Sequence, residues 1–430
     1  MRFCATTLGC KVNQVETQAI ESILLERGHM QAAPGEGCDV CIINTCAVTA
    51  ESVRKSRQAV RRMKKLEPDA LIAVCGCYSQ LEPSLAEELG ADMIGGSGDR
   101  SSFALDIERT VGSAQFVGRA APGAPPPHTT FEELPPGRPA GRTRAMLKIQ
   151  DGCDNYCAYC VIPYARGRSR SLPLERAADH AKQLEQQGFK EIVITGIEIS
   201  SYGKDLIGSP SLMDVVREIS RAAPDVRLRL GSLDPSVVTE AFCRDAAAIP
   251  NLCCHFHLSL QSGCDETLRA MDRKYDTRSA LNAISSLRHE FPDCGITADL
   301  IIGFPGETDE AFAQTLEFIK AASFSNMHIF PFSPRPRTLA AGMQGQVKKS
   351  VRRERARAAA EAAEEMARAF MHSRIGKTEE VLFERERNGV WVGHSRNYLE
   401  VSVRGAGNKN SVHSVRIIGV NDSVLWGEIV

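Results

Sequence analysis

Cys153, Cys157 and Cys160 are separated by three and then two residues, a spacing that lets one loop wrap a single metal centre. Thiolates are soft ligands suited to iron–sulfur clusters. Three ligands on a four-iron cubane leave one iron open, and an open iron can chelate S-adenosylmethionine so that its sulfonium is reduced and cleaved. A structural zinc loop is the competing use, but such loops usually close with a second ligand pair at zinc spacing. Cys10, Cys46 and Cys77 each follow a short apolar run, where a parallel sheet would bring them together as a second three-thiolate site. An isolated cysteine more often packs as a small hydrophobe, which is the reading for Cys4, Cys38, Cys41, Cys243, Cys253, Cys254, Cys264 and Cys294. Cys75, at the end of an apolar strand, competes with Cys77 for the third place.

The elements that must position these thiols read as alternating strands and helices. Strands are expected at 3–8, 40–44, 71–75 and 92–95, with helices near 15–27, 50–66 and 82–89. That alternation implies a parallel sheet with crossover helices. From residue 121 to 139, seven prolines in nineteen residues mark an extended linker. Beyond it, runs at 145–150, 191–195, 227–230, 255–260, 297–302 and 327–331 suggest a partial (β/α)6 barrel with its site at the strand C-terminal ends. A long helix is expected over 348–374, then short alternating runs of a small all-β domain. The fold class is therefore α/β, divided as 1–120, a linker 121–141, 142–370 and 371–430. No internal repeat at a fixed period is visible.

The chain has 430 residues, 43% hydrophobic and 24% charged, enough for about three domains with cores of their own. Disordered and fibrous classes are excluded, and no apolar run approaches the roughly 18 residues that span a bilayer. The N-terminus lacks the features of a secretory signal, so a cytoplasmic location is expected, where fifteen cysteines point to metal ligation rather than disulfides. Net charge is −1, so a nucleic-acid footprint must be local. Arg138, Arg142, Arg144, Lys148, Arg166, Arg168 and Arg170 form one basic cluster, and Lys348, Lys349, Arg352, Arg353, Arg355 and Arg357 a second, which reads equally as a solvated helix face.

The Cys153 loop resembles the C-x-x-x-C-x-x-C signature of the radical S-adenosylmethionine superfamily. The segments His257-Leu-Ser-Leu-Gln261-Ser-Gly263, Arg273-Lys-Tyr275 and Gly303-Phe-Pro-Gly306-Glu307-Thr308 resemble motifs of its methylthiotransferase branch. So do Leu8-Gly9-Cys10, Asn44-Thr45-Cys46 and Gly76-Cys77-Tyr78-Ser79-Gln80, a pattern that favours Cys77 over Cys75. The C-terminal β domain is similar to the branch's TRAM module, so the resemblance covers essentially the whole chain.

The resemblance implies two 4Fe-4S clusters, one on Cys153, Cys157 and Cys160 and an auxiliary one on Cys10, Cys46 and Cys77, with S-adenosylmethionine as cofactor and methyl source. It implies a pocket for that cofactor from Thr195, Gly196, Glu198, Ser232, Asp234, Gln261, Ser262, Gly303, Pro305 and Gly306, residues that end successive strands. Helix or turn capping is the plainer role for Asp234 and Ser262, and the glycines of 303–306 suit a close backbone approach to a cofactor. Lys11-Val12-Asn13 after Cys10 looks like the branch that methylthiolates carbon 2 of N6-threonylcarbamoyladenosine beside a tRNA anticodon. Isopentenyladenosine in tRNA, a ribosomal-protein aspartate, and a non-catalytic RNA-binding iron–sulfur protein are the alternatives. Expected partners are the tRNA anticodon stem-loop and a low-potential electron donor such as flavodoxin or ferredoxin, with no membrane. The basic loop is expected on tRNA phosphates, and Arg396 and Tyr398 on RNA unless Tyr398 packs in the small C-terminal core.

Overall fold

The computed structural model describes residues 1–112, 130–137, 143–405, 407–421 and 423–430. Most of the expected linker, the expected boundaries at 120 and 141, and the basic residues Arg138 and Arg142 lie outside the described residues.

Val40–Thr45 is buried at every position, as a strand covered by helices on both faces must be. It pairs in parallel with Arg2–Thr7 on one side and Leu71–Gly76 on the other, and the two-residue strands Met30–Gln31 and Met93–Ile94 form the edges. The strand order is second, first, third, fourth, fifth. Winding therefore reverses between Arg2–Thr7 and Val40–Thr45, and the crevice at such a reversal is where open α/β sheets take ligands. Cys10 and Cys46 stand just beyond the ends of those two strands.

Two differences from the sequence reading matter for the site. The first helix begins at Lys11, not near Val15, and its opening turns bury Asn13, Glu16, Thr17 and Gln18. Those polar residues lack apolar periodicity and so hide the helix start. The helix expected over 82–89 is present as Pro83–Glu88, but a further short helix, Cys77–Leu81, precedes it, so Cys77 opens a helix. A further helix, Arg100–Gly112, carries Arg100 into the interior.

The central part consists of two parallel sheets joined end to end. One contains Arg144–Lys148, Glu191–Thr195 and Arg227–Leu230; the other Ser232–Leu233, His255–Gln261, Gly295–Ile302 and Asn326–Pro331. Alternation explains Arg227-Leu-Arg-Leu230. Leu228 and Leu230 enter the apolar core beneath the helices, while Arg227 and Arg229 point to the opposite face and pair with Glu191 at 2.6 and 2.8 Å.

The helix Lys349–His372 leads to a closed five-stranded barrel with a core of Val381, Phe383, Val401, Val403, Val415, Ile417 and Leu425. Arg229 donates to the carbonyls of Arg396 and Ser395 at 2.9 and 3.2 Å, and Arg396 to that of Leu252 at 2.6 Å. The Tyr398 ring stacks on His255 with centroids 4.7 Å apart, with the Arg229 guanidinium 4.8 Å from its centroid. Arg396 and Tyr398, expected on RNA, thus also dock the C-terminal barrel onto the central sheets, and Tyr398 keeps 36% of its surface exposed. The second basic cluster divides likewise: Arg355 is buried against Glu307 and Asp309 at 2.7 and 2.6 Å, and Arg352 donates to the Phe332 carbonyl.

Candidate functional site

The first trio sits in a loop whose neck is the pairing of Gln150–Asp151 with Arg170–Ser171. Gly152 at that neck has φ +70°, and a Cβ there would collide with the Arg168 carbonyl. Inside the loop, Cys160 N donates to the Cys157 carbonyl at 2.9 Å and Ala158 N to that of Met271 at 3.0 Å. Ala158 packs with Phe304, Phe332 and Ala340. Burial pushes the Cys153 and Cys160 thiols up to about 12, and the fields of Cys153 and Cys157 both act on Cys160. Asn155 N donates to Cys153 Sγ at 3.5 Å and Arg273 Nη1 to Cys157 Sγ at 3.3 Å. Such donors stabilise thiolates and tune clusters bound to them.

The second trio is built on two strained turns. Gly9 has φ +106°, and its Cβ would lie 2.9 Å from Cys46 Cβ; Gly76 has φ +107°, and its Cβ would strike the Thr45 carbonyl. Cys10 is exposed, whereas Cys46 and Cys77 are buried. Burial pushes Cys77 up to about 12 against the pull of Arg166, and both Cys46 and Cys10 act on it, so the three sulfurs share one neighbourhood. Cys75 instead packs in the apolar core with Phe3, Ile20, Val40 and Phe103.

Arg166 joins the trios. Its Nη1 donates to Glu16 Oε1 at 2.7 Å and Asp151 Oδ1 at 3.1 Å, and its Nη2 to Asn13 Oδ1 at 2.7 Å. Asn13 Oδ1 also lies 3.6 Å from Cys10 Sγ. Glu16 further pairs with Arg100 at 3.0 Å and Lys148 at 3.1 Å, and Asp151 with Lys148 and Arg170 at 2.7 and 3.1 Å. Desolvation opposes both carboxylates, yet the surrounding cations hold Glu16 and Asp151 far below the usual range. For Lys148, Arg166 and Arg170 this corrects the expectation of contact with tRNA phosphates, because all three are buried and bind the N-terminal sheet to the first loop. Arg168 stays on the surface, paired with Asp154 at 3.2 Å. The network holds four cations against two carboxylates beside Cys77, a surplus that favours thiolates there. Cys77 and Tyr78 also pack on Val161 and Ala165, just after Cys160. The roles of Glu16 and Asp151 were not anticipated; the only trace in the sequence is an acid two residues before Cys153.

Next to the first trio lies a cluster of polar side chains, tied to it by the Arg273 contact with Cys157. Glu198 N donates to Gln150 Oε1 at 2.8 Å, and the Glu198 side chain accepts from Ser200 N at 3.1 Å. Burial and the neighbouring Asp234 carboxylate push Glu198 above the ordinary range. Asp234 accepts from Arg273 Nη2 at 2.7 Å and caps the following turn by accepting from Ser236 N at 2.9 Å. Arg273 therefore touches both Asp234 and Cys157. Thr195 and Gly196 end the adjacent strand, and a Gly196 Cβ would lie 2.9 Å from the Gln150 carbonyl. Ser232 is exposed at the same edge. Gln261 has φ +67°, and Ser262 Oγ accepts from Cys264 N at 3.2 Å, the capping role. A Cβ on Gly303 would meet the Arg352 side chain, and Gly303 N donates to Glu307 Oε1 at 2.9 Å. That turn anchors the long helix. Pro305 is buried, and Gly306 has φ +85° with open space around it.

Among the described residues no three His, Cys, Asp or Glu side chains close on a point as around a single ion. A cubane instead takes each thiolate at a different corner, and the three thiols of the first trio, with donors on the Cys153 and Cys157 sulfurs, suit such a cluster.

Residues 147–319 match the family model described as the radical SAM superfamily, and residues 2–96 the one described as uncharacterized protein family UPF0004. The chain is 37% identical to the threonylcarbamoyladenosine tRNA methylthiotransferase MtaB of Thermotoga maritima, over 97% of this chain and 94% of that protein. It is also 37% identical to the protein of that name from Chlamydia pneumoniae, over 100% and 98%. It is 30% identical to the tRNA-2-methylthio-N(6)-dimethylallyladenosine synthase of Acetivibrio thermocellus, over 100% and 91%. Among solved structures, the radical S-adenosylmethionine methyltransferase TsrM from Kitasatospora setae superposes with a TM-score of 0.56 at 17% identity, covering 79% of this chain and 77% of that one. That likeness concerns the fold alone.

Proposed function

Because the chain belongs to the radical S-adenosylmethionine methylthiotransferases that act on tRNA, we propose that it inserts a methylthio group at carbon 2 of N6-threonylcarbamoyladenosine beside the anticodon. It does so with two 4Fe-4S clusters and two molecules of S-adenosylmethionine. The observation that carries this reading is the tie between two cysteine trios through Arg166 and Asn13. When bound, the clusters and S-adenosylmethionine supply the one-electron cleavage, the sulfur and the methyl group. The chain's own residues have three tasks. Cys153, Cys157 and Cys160 hold one cluster, with Arg273 donating to Cys157, and Cys10, Cys46 and Cys77 hold the other. Thr195, Gly196, Glu198, Ser232, Asp234, Gln261, Ser262, Gly303, Pro305 and Gly306 line the cofactor pocket, Glu198 and Asp234 offering carboxylates to its cationic end. The buried ion network keeps the two loops at a fixed separation, since positioning of reacting groups is a large part of such catalysis.

The same reading divides the chain as 1–120, 121–141, 142–370 and 371–430, places it in the cytoplasm and gives it a flavodoxin or ferredoxin as electron donor. The threonylcarbamoyl substrate is supported by relatives of that name at 37% identity and by Lys11-Val12-Asn13. The isopentenyl substrate is the second reading, supported by the dimethylallyladenosine relative at 30%. Nucleoside mass spectrometry of tRNA from a strain lacking this protein tests the choice. Loss of 2-methylthio-N6-threonylcarbamoyladenosine is expected; loss of the isopentenyl form instead moves the assignment to the second reading, and an unchanged profile removes tRNA as substrate.

A further inference from the structure

A tRNA substrate presents phosphates, and the cations of the Cys153 loop do not meet them, since Lys148, Arg166 and Arg170 are buried and Arg168 pairs with Asp154. The helix Ala50–Leu66 offers what that loop does not. It carries seven cations to one acid, and its buried residues are Ser56, Val60 and Met63. At about 100° per residue, Arg54, Arg61 and Lys65 fall on the opposite face, with Arg57 and Lys64 along one flank and Lys55 and Arg62 along the other, all of them exposed. Among the described residues Glu51 takes Arg54 at 2.5 Å and lies 3.9 Å from Lys55, and the other five cations have no ion pair. Arg57, Arg61 and Lys65 follow one another at four-residue steps, a spacing at which like charges on a helix repel and destabilise it. A polyanion laid along the row relieves that repulsion. The helix Lys349–His372 differs, because acids interleave its exposed cations, as where Arg357 lies 3.8 Å from Glu361.

Hydrogen bonds fix this helix to the candidate site. Ser56, on its buried face, accepts from Cys46 N at 3.1 Å and donates to the Cys46 carbonyl at 3.3 Å. Ala50 N donates to Ser333 Oγ at 3.0 Å, just past the C-terminal end of the strand Asn326–Pro331. The first turn therefore stands where the N-terminal sheet meets the mouth of the central sheets, and seventeen residues at about 1.5 Å each carry the basic face about 25 Å away from it. We propose that this face binds the phosphate backbone of the anticodon stem, an inference that rests on tRNA being the substrate. A base delivered to the Cys10, Cys46 and Cys77 sulfurs belongs to a loop, and the stem that carries the loop continues across the adjoining surface, where the helix lies. Duplex RNA is met through its backbone rather than its base edges, which exposed cations without interleaved aromatics suit. An acidic electron-donor protein also fits a basic face, but the helix is attached to the Cys46 loop, on the side of the second trio, whereas the electron is consumed at the first.

The test uses the reconstituted full-length enzyme and a fluorescent anticodon stem-loop carrying N6-threonylcarbamoyladenosine. In Arg57→Gln/Arg61→Gln/Lys65→Gln, affinity by fluorescence anisotropy is expected to fall about 100-fold at about 0.1 M salt, and the slope of log affinity against log salt by about 2 to 3, since each phosphate contact contributes about 0.7 to 0.9. The loss also appears in KM for the stem-loop, and Arg57→Lys/Arg61→Lys, which keeps the charge, retains affinity and slope. Glutamine is a good helix former, so iron content and the thermal unfolding midpoint stay at wild-type values. The control Lys349→Gln/Arg353→Gln/Arg357→Gln removes the same charge from another exposed helix face and is expected to change affinity by less than about threefold. Unchanged affinity and slope in the first variant overturn the proposal with the tRNA reading standing, as does an equal loss in the control, which makes net charge the cause. Unchanged stem-loop binding with slower cluster reduction by a flavodoxin assigns the face to the electron donor and likewise overturns the proposal. A wild type that neither binds nor methylthiolates any tRNA stem-loop overturns the tRNA reading itself.

Discussion

Arg166→Met removes the group that ties both cysteine loops together while keeping most of its volume. Five hydrogen bonds are lost, two to Glu16 at 2.7 and 3.2 Å, two to Asp151 at 3.1 and 3.3 Å and one to Asn13 at 2.7 Å. Breaking one partner of a buried ion pair costs about 3–5 kcal/mol. Glu16 keeps Arg100 and Lys148, and Asp151 keeps Lys148 and Arg170, so neither carboxylate is left bare and the low end applies. About 3 kcal/mol corresponds to roughly a 150-fold rise in local opening. Amide hydrogen exchange of the helices Lys11–Glu26 and Ile162–Arg166 reads that opening directly, and both are expected to lose protection together. Glu16→Gln produces a similar loss, and the double variant costs less than the two added, by up to about 3 kcal/mol. Exchange in both helices changed less than twofold, or strict additivity in the double variant, refutes the argument that this network holds the two loops together.

Gly76→Ala puts a Cβ against the Thr45 carbonyl at φ +107°, so the turn before Cys77 cannot close. Iron at the second trio is expected to fall while the first trio still binds its own, by iron analysis. In acid the network fails in a set direction: the Glu16 and Asp151 carboxyls are held below their unfolded values, so their contribution is complete above about pH 5 and drains away as pH falls. Glu16→Gln therefore flattens the acid side of the stability profile measured by thermal unfolding between about pH 3 and 6. Glu198 shifts the other way, raised by burial and by Asp234, so binding of cationic S-adenosylmethionine strengthens as pH rises and Glu198 ionises. In Glu198→Gln, calorimetric titration with S-adenosylmethionine is expected to show weaker binding whose pH dependence is lost.

Much of the arrangement was legible in the residues themselves. The Cys153, Cys157 and Cys160 spacing is local and needs no tertiary information, and the apolar strands before Cys10, Cys46 and Cys77 suffice to place three cysteines at one sheet edge. What escaped are contacts between residues far apart in the chain. Glu16 and Arg166 are 150 residues distant and leave no periodic signature, because a buried polar pair looks like surface when read along the chain. For the same reason the helix start at Lys11 was placed late, and Lys148, Arg166 and Arg170 read as a phosphate-binding cluster. Gly303 illustrates the converse: its need for space was legible, while the neighbour that uses it, Arg352 from the long helix, was not.

The most direct test of the two-trio account is anaerobic reconstitution of the wild type beside the variant Cys10→Ala/Cys46→Ala/Cys77→Ala. The wild type is expected to take up about eight irons, four per cubane, and to methylthiolate the stem-loop; the variant takes up about four, still releases 5′-deoxyadenosine and makes no methylthio product. A variant that keeps the full iron content, or that still delivers the methylthio group, contradicts it.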